Sequence, residues 1–213
     1  RDHTCTLFDN KKVKCFGYGG YGQLGYENIN NIGSSSSHMG NNLPFVNFGT
    51  NINISSIHSF GYAYHNCIII DGSQLMKCWG YNYDYQLGYS DRNNRGNTGN
   101  TMGNNLPTLN LGTESRVLQA SIGTYHTCAI RADKELRCWG NNFNGKLGLG
   151  STTYLIPTSS PEFVAVKVDS DTTKKAKYVS TGFDLTCVLV DDNISAKCVG
   201  SNSNGQLGQG DNI

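Results

Sequence analysis

A short element, Gln-Leu-Gly, recurs along this chain with its last residue at Gly25, Gly88 and Gly208, and once more as Lys-Leu-Gly ending at Gly148. The spacings are 63, 60 and 60 residues. A chain that repeats itself at such a period folds as an array of like units, because one unit alone cannot bury its apolar face and is stabilised by stacking on its neighbours. The likeness extends upstream of the element. It runs from His3-Thr4-Cys5 to Gln23-Leu24-Gly25, and from Tyr64-His65-Asn66-Cys67 to Gln86-Leu87-Gly88. The later copies run from Tyr125-His126-Thr127-Cys128 to Lys146-Leu147-Gly148 and from Leu185-Thr186-Cys187 to Gln206-Leu207-Gly208. The approximate units are 1–54, 55–117, 118–177 and 178–213, the first and last being partial. The chain starts inside one copy and stops inside another, so it is expected to be a piece of a larger array, or to be completed by copies from neighbouring chains.

Each copy has the same internal grammar. A short apolar strand such as Cys128-Ala129-Ile130 is followed by a polar turn, as at Asp9-Asn10-Lys11, Asp71-Gly72-Ser73, Asp133-Lys134 and Asp191-Asp192-Asn193. A second strand follows, ending in Cys15-Phe16-Gly17, Cys78-Trp79-Gly80, Cys138-Trp139-Gly140 or Cys198-Val199-Gly200. A loop rich in Gly and Asn then leads into the Leu-Gly element. With 26 Gly against 4 Pro, the chain has many residues able to adopt the positive φ of tight turns. No helical periodicity of useful length appears, so the expectation is an all-β fold with almost no helix.

Gly123-Thr124-Tyr125-His126-Thr127-Cys128-Ala129-Ile130 and Cys138-Trp139-Gly140-Asn141-Asn142-Phe143-Asn144-Gly145-Lys146-Leu147-Gly148 resemble, nearly position by position, the repeat of the regulator-of-chromosome-condensation family. The resemblance recurs in all four copies and covers the whole chain. It implies a β-propeller whose blades each hold about four antiparallel strands, here four repeats of a ring that in this family usually has seven blades.

The eight cysteines fall in pairs within the copies: Cys5 and Cys15, Cys67 and Cys78, Cys128 and Cys138, Cys187 and Cys198, separated by 10, 11, 10 and 11 residues. With the turn midway, an antiparallel hairpin sets the members of each pair opposite one another, within about 4.5–5.5 Å between Cα atoms, a distance a disulfide spans. Reduced structural thiols and a metal site are the rival readings, and the Cys-x-x-Cys spacing typical of zinc is absent. Disulfides persist outside the reducing cytosol, which points to an extracellular or cell-surface protein. Two sequons, Asn53-Ile54-Ser55 and Asn193-Ile194-Ser195, make Asn53 and Asn193 candidate glycosylation sites in that compartment.

Other chemistry finds little support. The net charge is +1 and only 15% of residues are charged, so no field steers nucleic acid or an anionic membrane. No apolar run is long enough for membrane insertion by a helix. Gly17-Tyr18-Gly19-Gly20-Tyr21-Gly22 matches the dinucleotide fingerprint in letters only, since it leads into a turn and not into a helix. No nucleophile elbow, paired carboxylates or His-Glu-x-x-His element is present, so neither an enzyme nor a cofactor is expected. His3, His65 and His126 recur two residues before a cysteine and are expected to be structural, hydrogen-bonded inside their own unit.

Copies one and two carry long polar insertions ending in Met39-Gly40-Asn41-Asn42-Leu43-Pro44 and Met102-Gly103-Asn104-Asn105-Leu106-Pro107, and copy three replaces them with Ser151 to Pro161. These segments read either as compact connections or as recognition loops. Tyr18, Tyr21, Tyr26, Tyr81, Tyr83, Tyr85 and Tyr89 cluster in the loops of copies one and two and form the candidate binding surface, because tyrosine offers large contact area at low entropic cost. The expected function is a non-catalytic secreted or surface propeller that binds a protein partner or self-assembles, as in a filament or surface layer. A carbohydrate-binding propeller is the alternative. Nucleotide exchange and chromatin attachment, which the family resemblance also brings, fit the cysteines and the charge less well.

Overall fold

A computed structural model describes residues 2–152, 175–191 and 195–211. Its strands are all antiparallel and fall into one sheet per repeat. β1 (His3–Leu7) pairs with β2 (Val13–Gly17). β3 (Ile54–His58), β4 (His65–Ile70) and β5 (Met76–Gly80) form the second sheet, and β6 (Val117–Ile122), β7 (His126–Arg131) and β8 (Leu136–Gly140) the third. The fourth contains β9 (Ala176–Thr181), β10 (Leu185–Val190) and β11 (Ala196–Gly200). Among the described residues helix is confined to single 3-10 turns such as Gly40–Asn42 and Gly103–Asn105.

The register sets Cys5 against Cys15, Cys67 against Cys78, Cys128 against Cys138 and Cys187 against Cys198, and each pair is joined. The hairpins turn alike. Lys11, Gln74 and Lys134 take the left-handed conformation at φ 62°, 57° and 62°, and their N–H groups donate to Phe8, Ile70 and Arg131. In the first and third hairpins that is the three-residue loop of a type I turn closed by a left-handed residue, while the second has one residue more, its loop running from 71 to 74.

The complete sheets have three ladder strands where four were expected. The chain fills the place of the fourth with pieces. Along β2, Val13 accepts from the N–H of Val46, Cys15 is met by the Tyr26 hydroxyl, and Gly17 exchanges two hydrogen bonds with Ile32. Along β5 the same three places go to Leu109, Tyr89 and Arg95. Alternate backbone groups of an outer strand need partners. Here three separate segments of the insertion supply them, so no continuous strand forms.

The core lies between sheets as much as within them. Trp79 and Trp139 are fully buried, Phe48 packs edge-on against Trp79 at 4.9 Å, and Leu24, Val46 and Met102 belong to the same cluster. The first strands of consecutive sheets also abut: Gln119 of β6 exchanges hydrogen bonds with the Val179 backbone of β9, and Ser121 bonds Thr181.

Candidate functional site

The recurring histidines hold neighbouring sheets together. His3 Nε2 lies 2.9 Å from Asn66 Oδ1, His65 Nε2 2.9 Å from Thr127 Oγ1, and His126 Nε2 2.9 Å from Thr186 Oγ1. These bonds run between repeats, which corrects the expectation that each histidine is satisfied inside its own unit. The partner is the residue after the histidine position in the next copy, and such cross-repeat adjacency is invisible in one repeat's sequence. The Thr127 hydroxyl donates to the Gln86 carbonyl. His65 therefore donates through Nε2, leaving Nδ1 buried and bare. Burial pushes His65 down to about 3, with His3 adding repulsion, and pushes His126 down to about 3, with Lys146 adding repulsion. Both imidazoles are neutral at physiological pH.

The glutamine of the Gln-Leu-Gly element serves the same seam. The Gln23 carbonyl accepts from Trp79 Nε1 at 3.0 Å and Asn66 Nδ2 at 2.9 Å. The Gln86 carbonyl accepts from Trp139 Nε1 at 3.0 Å and from Thr127. The closing glycine lies under that indole: a Cβ on Gly88 would come 2.8 Å from Trp139 Nε1, at a φ of +81°. Where the third copy has Lys146, its buried ammonium pairs with Asp184 of the next sheet at 2.5 Å. The fourth copy lacks both the histidine and the tryptophan, having Leu185 and Val199, and this ion pair spans the seam they leave less supported.

At the end of the sheets where β4 begins and β5 ends, aromatic rings converge. Tyr21 lies 5.0 Å from Tyr64 and 4.8 Å from Tyr81, and Tyr18 is 6.1 Å from both Tyr21 and Tyr64. Tyr83 stacks beside Tyr81 at 6.4 Å, with an interplanar angle of 18°. Arg92 lies over the rings of Tyr83 and Tyr85 at 5.0 and 4.9 Å. Burial, with the nearby Asp84 carboxylate, pushes the Tyr81 hydroxyl up to about 12. Toward the inner strands Tyr62 meets Phe183 of the fourth copy at 6.2 Å, and both are about half exposed. Tyr62, Tyr64, Phe183 and the exposed Phe143 were not singled out in the sequence. The repeat alignment could have found Tyr64 and Phe143, which occupy the positions of Tyr125 and Tyr83.

Two of the seven candidate tyrosines turn their hydroxyls to a strand edge, Tyr89 buried and Tyr26 part-buried. Tyr89 is buried, and its hydroxyl bonds the N–H and carbonyl of Cys78 and the carbonyl of Pro107. Tyr26 makes the equivalent bonds to Cys15 and Pro44. Both follow the Leu-Gly element directly and turn inward to the strand edge. Burial drives both hydroxyls above their ordinary value.

The insertions are docked connections. Lys14 donates to the carbonyl of Gly40, and Lys77 to those of Phe48 and Gly103. The Glu27 carboxylate takes the N–H groups of Thr101 and Met102, tying the second insertion to the first copy. The replacement loop of copy three is described only as far as residue 152, and Asn193 lies outside the described residues. Asn53 is exposed. No group of three or more metal-ligating side chains occurs among the described residues, and no described helix is long and apolar enough to cross a membrane.

Family models for the regulator of chromosome condensation (RCC1) repeat match residues 78–130 and 117–146. The chain is 26% identical over 217 residues to the ultraviolet-B receptor UVR8 of Arabidopsis thaliana, covering 99% of this chain and 42% of that one. Human WBSCR16 superposes over the whole chain with a TM-score of 0.72 at 20% identity, covering 48% of that structure. Prp20p of Saccharomyces cerevisiae matches 91% of this chain and 43% of its own, with a TM-score of 0.63 at 14% identity. The ectodomain of the Physcomitrella patens receptor kinase CR4 matches at a TM-score of 0.52 and 12% identity, over 96% of this chain and 41% of its own. The chain thus spans less than half the length of each of these four relatives. Repeat pattern, sheet order and these likenesses agree: the chain has an all-β, propeller-type fold and is similar to the RCC1 repeat family, whose models match it across residues 78–146.

Proposed function

We propose that this chain is a non-catalytic propeller segment that binds a protein partner through the aromatic loop face, and that it works at a cell surface or in secreted form. The observation that carries the reading is the convergence of Tyr18, Tyr21, Tyr64, Tyr81 and Tyr83 on loops held by a rigid seam. Rigid amphipathic rings clustered on one face are the usual anchors of a protein interface. Binding is also what a structural relative does: Prp20p has binding properties toward Gsp1p and histones and is seen bound to Kap60. That supports the mode, with the partner left to this chain's own surface.

The compartment reading rests on the four cysteine pairs, each placed in register for a bridge. We take the units as 1–54, 55–117, 118–177 and 178–213, with β3, β6 and β9 opening near those boundaries at Ile54, Val117 and Ala176. Exposed Asn53 is the glycan site we favour on the described surface.

The test pairs a panel of purified ectodomains and secreted proteins with the native chain and a Tyr21→Ser/Tyr64→Ser variant. A partner bound by the native chain and lost by a variant of unchanged melting temperature supports the reading. A partner retained by the variant removes the face. Thiol alkylation of native material before reduction tests the compartment: labelled cysteines would mean a reducing environment and return the intracellular exchange-factor reading.

A further inference from the structure

Beside the aromatic face, the second insertion encloses an open cleft of about 680 Å³. One wall is the pair of tyrosine rings at positions 81 and 83, stacked side by side. The rest of the lining is rich in amides and hydroxyls: Asn93, Asn94, Asn97, Asn100, Asn105 and Thr98. Arg92 and Arg95 also line it, and among the described residues no carboxylate and no aliphatic side chain does.

The walls are held before any ligand arrives. Gly80 and Arg95 exchange backbone hydrogen bonds, the Gly96 N–H donates to Thr101 Oγ1, and Glu27 holds the N–H groups of Thr101 and Met102. Arg95 is committed to Asp91 through two hydrogen bonds and to the carbonyl of Asn93. Arg92 has no ion pair among the described residues and rests on the rings of Tyr83 and Tyr85. The cleft therefore presents a flat aromatic floor, a wall of side chains that both donate and accept, and one uncompensated guanidinium. The Oδ1 of Asn97 is buried without a hydrogen-bond partner, so the wall has polar capacity left over.

We propose that this cleft binds a carbohydrate bearing a carboxylate group. A pyranose ring presents a C–H face that stacks on a tyrosine and a rim of hydroxyls that each need a donor and an acceptor. Side-chain amides and threonine supply both. The guanidinium of Arg92 recognises a planar carboxylate with two parallel hydrogen bonds, which a neutral sugar cannot use. A peptide of the same charge would call for apolar pockets beside the arginine, and the cleft has none. The cleft shares Tyr81 and Tyr83 with the aromatic face, but Arg92 belongs to the cleft alone, so the Arg92 variants test this proposal separately from the protein-binding reading.

The experiment titrates the native chain by calorimetry with hexagalacturonate, sialyllactose, cellohexaose and a hexaglutamate peptide. Binding of either acidic sugar at least tenfold tighter than both cellohexaose and hexaglutamate is expected, and the two acidic sugars distinguish the source of the carboxylate. Arg92→Ala should remove at least tenfold of that affinity, and Arg92→Lys should recover part of it. Raising the ionic strength from about 0.01 to about 1 M shortens the screening length from about 30 to about 3 Å and should weaken binding of the acidic sugars but not of neutral cellohexaose. This arm needs no variant. Equal binding of cellohexaose, preference for hexaglutamate, indifference to Arg92 and to salt, or no binding at millimolar ligand would each overturn the proposal.

Discussion

Gln23 and Gln86 act through their backbone, each offering one carbonyl to an indole and to a second donor of the next sheet. Trp79→Phe removes the indole donor and leaves a cavity, because the side chain is fully buried. The expected loss exceeds the roughly 1 kcal/mol net value of one buried hydrogen bond, read as a shift of the urea midpoint at unchanged slope. Trp139→Phe should match it, because the Gln86 carbonyl keeps its bond from Thr127 just as the Gln23 carbonyl keeps that from Asn66. The Lys146–Asp184 pair is a different case, since the ammonium is buried and the carboxylate is about a quarter exposed. Lys146→Met and Asp184→Asn should couple by about 1–3 kcal/mol in a double-mutant cycle. Asp184→Asn alone should be the costlier change, because it leaves a buried charge unpaired.

The outer edge of β5 depends on one phenol. Tyr89 bonds three backbone groups, and Tyr89→Phe strands the N–H and carbonyl of Cys78 in a buried place. A loss of about 2 kcal/mol or more is expected, against a smaller one for Tyr26→Phe, whose ring is less buried. Thermal melts of the two variants check the order. The bridges act on the unfolded chain instead. Closing the loop between Cys67 and Cys78 should contribute about 2–3 kcal/mol on the chain-entropy model, measured as the deficit of a Cys67→Ala/Cys78→Ala variant. The seam explains why the hairpins alone are not the stable unit: each donates to, and accepts from, the sheet beside it.

Across the molecule three imidazoles are held neutral by burial: His58 is pushed down to about 4, and His65 and His126 to about 3. Ser56 Oγ faces His58 at 2.9 Å, while Thr127 faces His65, and Thr186 and Lys146 face His126. The unfolded chain binds these protons near pH 6.5. Between that value and the folded values the unfolded state holds more protons, so stability falls as the pH falls. The slope should approach about 1.4 kcal/mol per pH unit for each histidine. Urea midpoints at pH 7 and pH 5, with the disulfides intact, measure it, and a midpoint unchanged between them would show that the imidazoles are not buried neutral. His65→Gln keeps a donor toward Thr127 and should flatten the dependence.

Much of this fold was legible before any coordinates. The period near sixty residues gave the array, the turn chemistry gave the hairpins, and the midway turns gave the register that sets Cys67 against Cys78, because strand pairing within one hairpin is a local matter. What the chain does between repeats was not legible. That His65 reaches Thr127, that Tyr89 caps a strand edge while Tyr81 and Tyr83 stack beside a cleft, and that Tyr62 meets Phe183 all depend on residues dozens of positions apart. Identical residue types at neighbouring places in the repeat can face either the core or solvent, and local propensity carries no information on which. The packing angle between sheets decides that, and only the assembled array contains it.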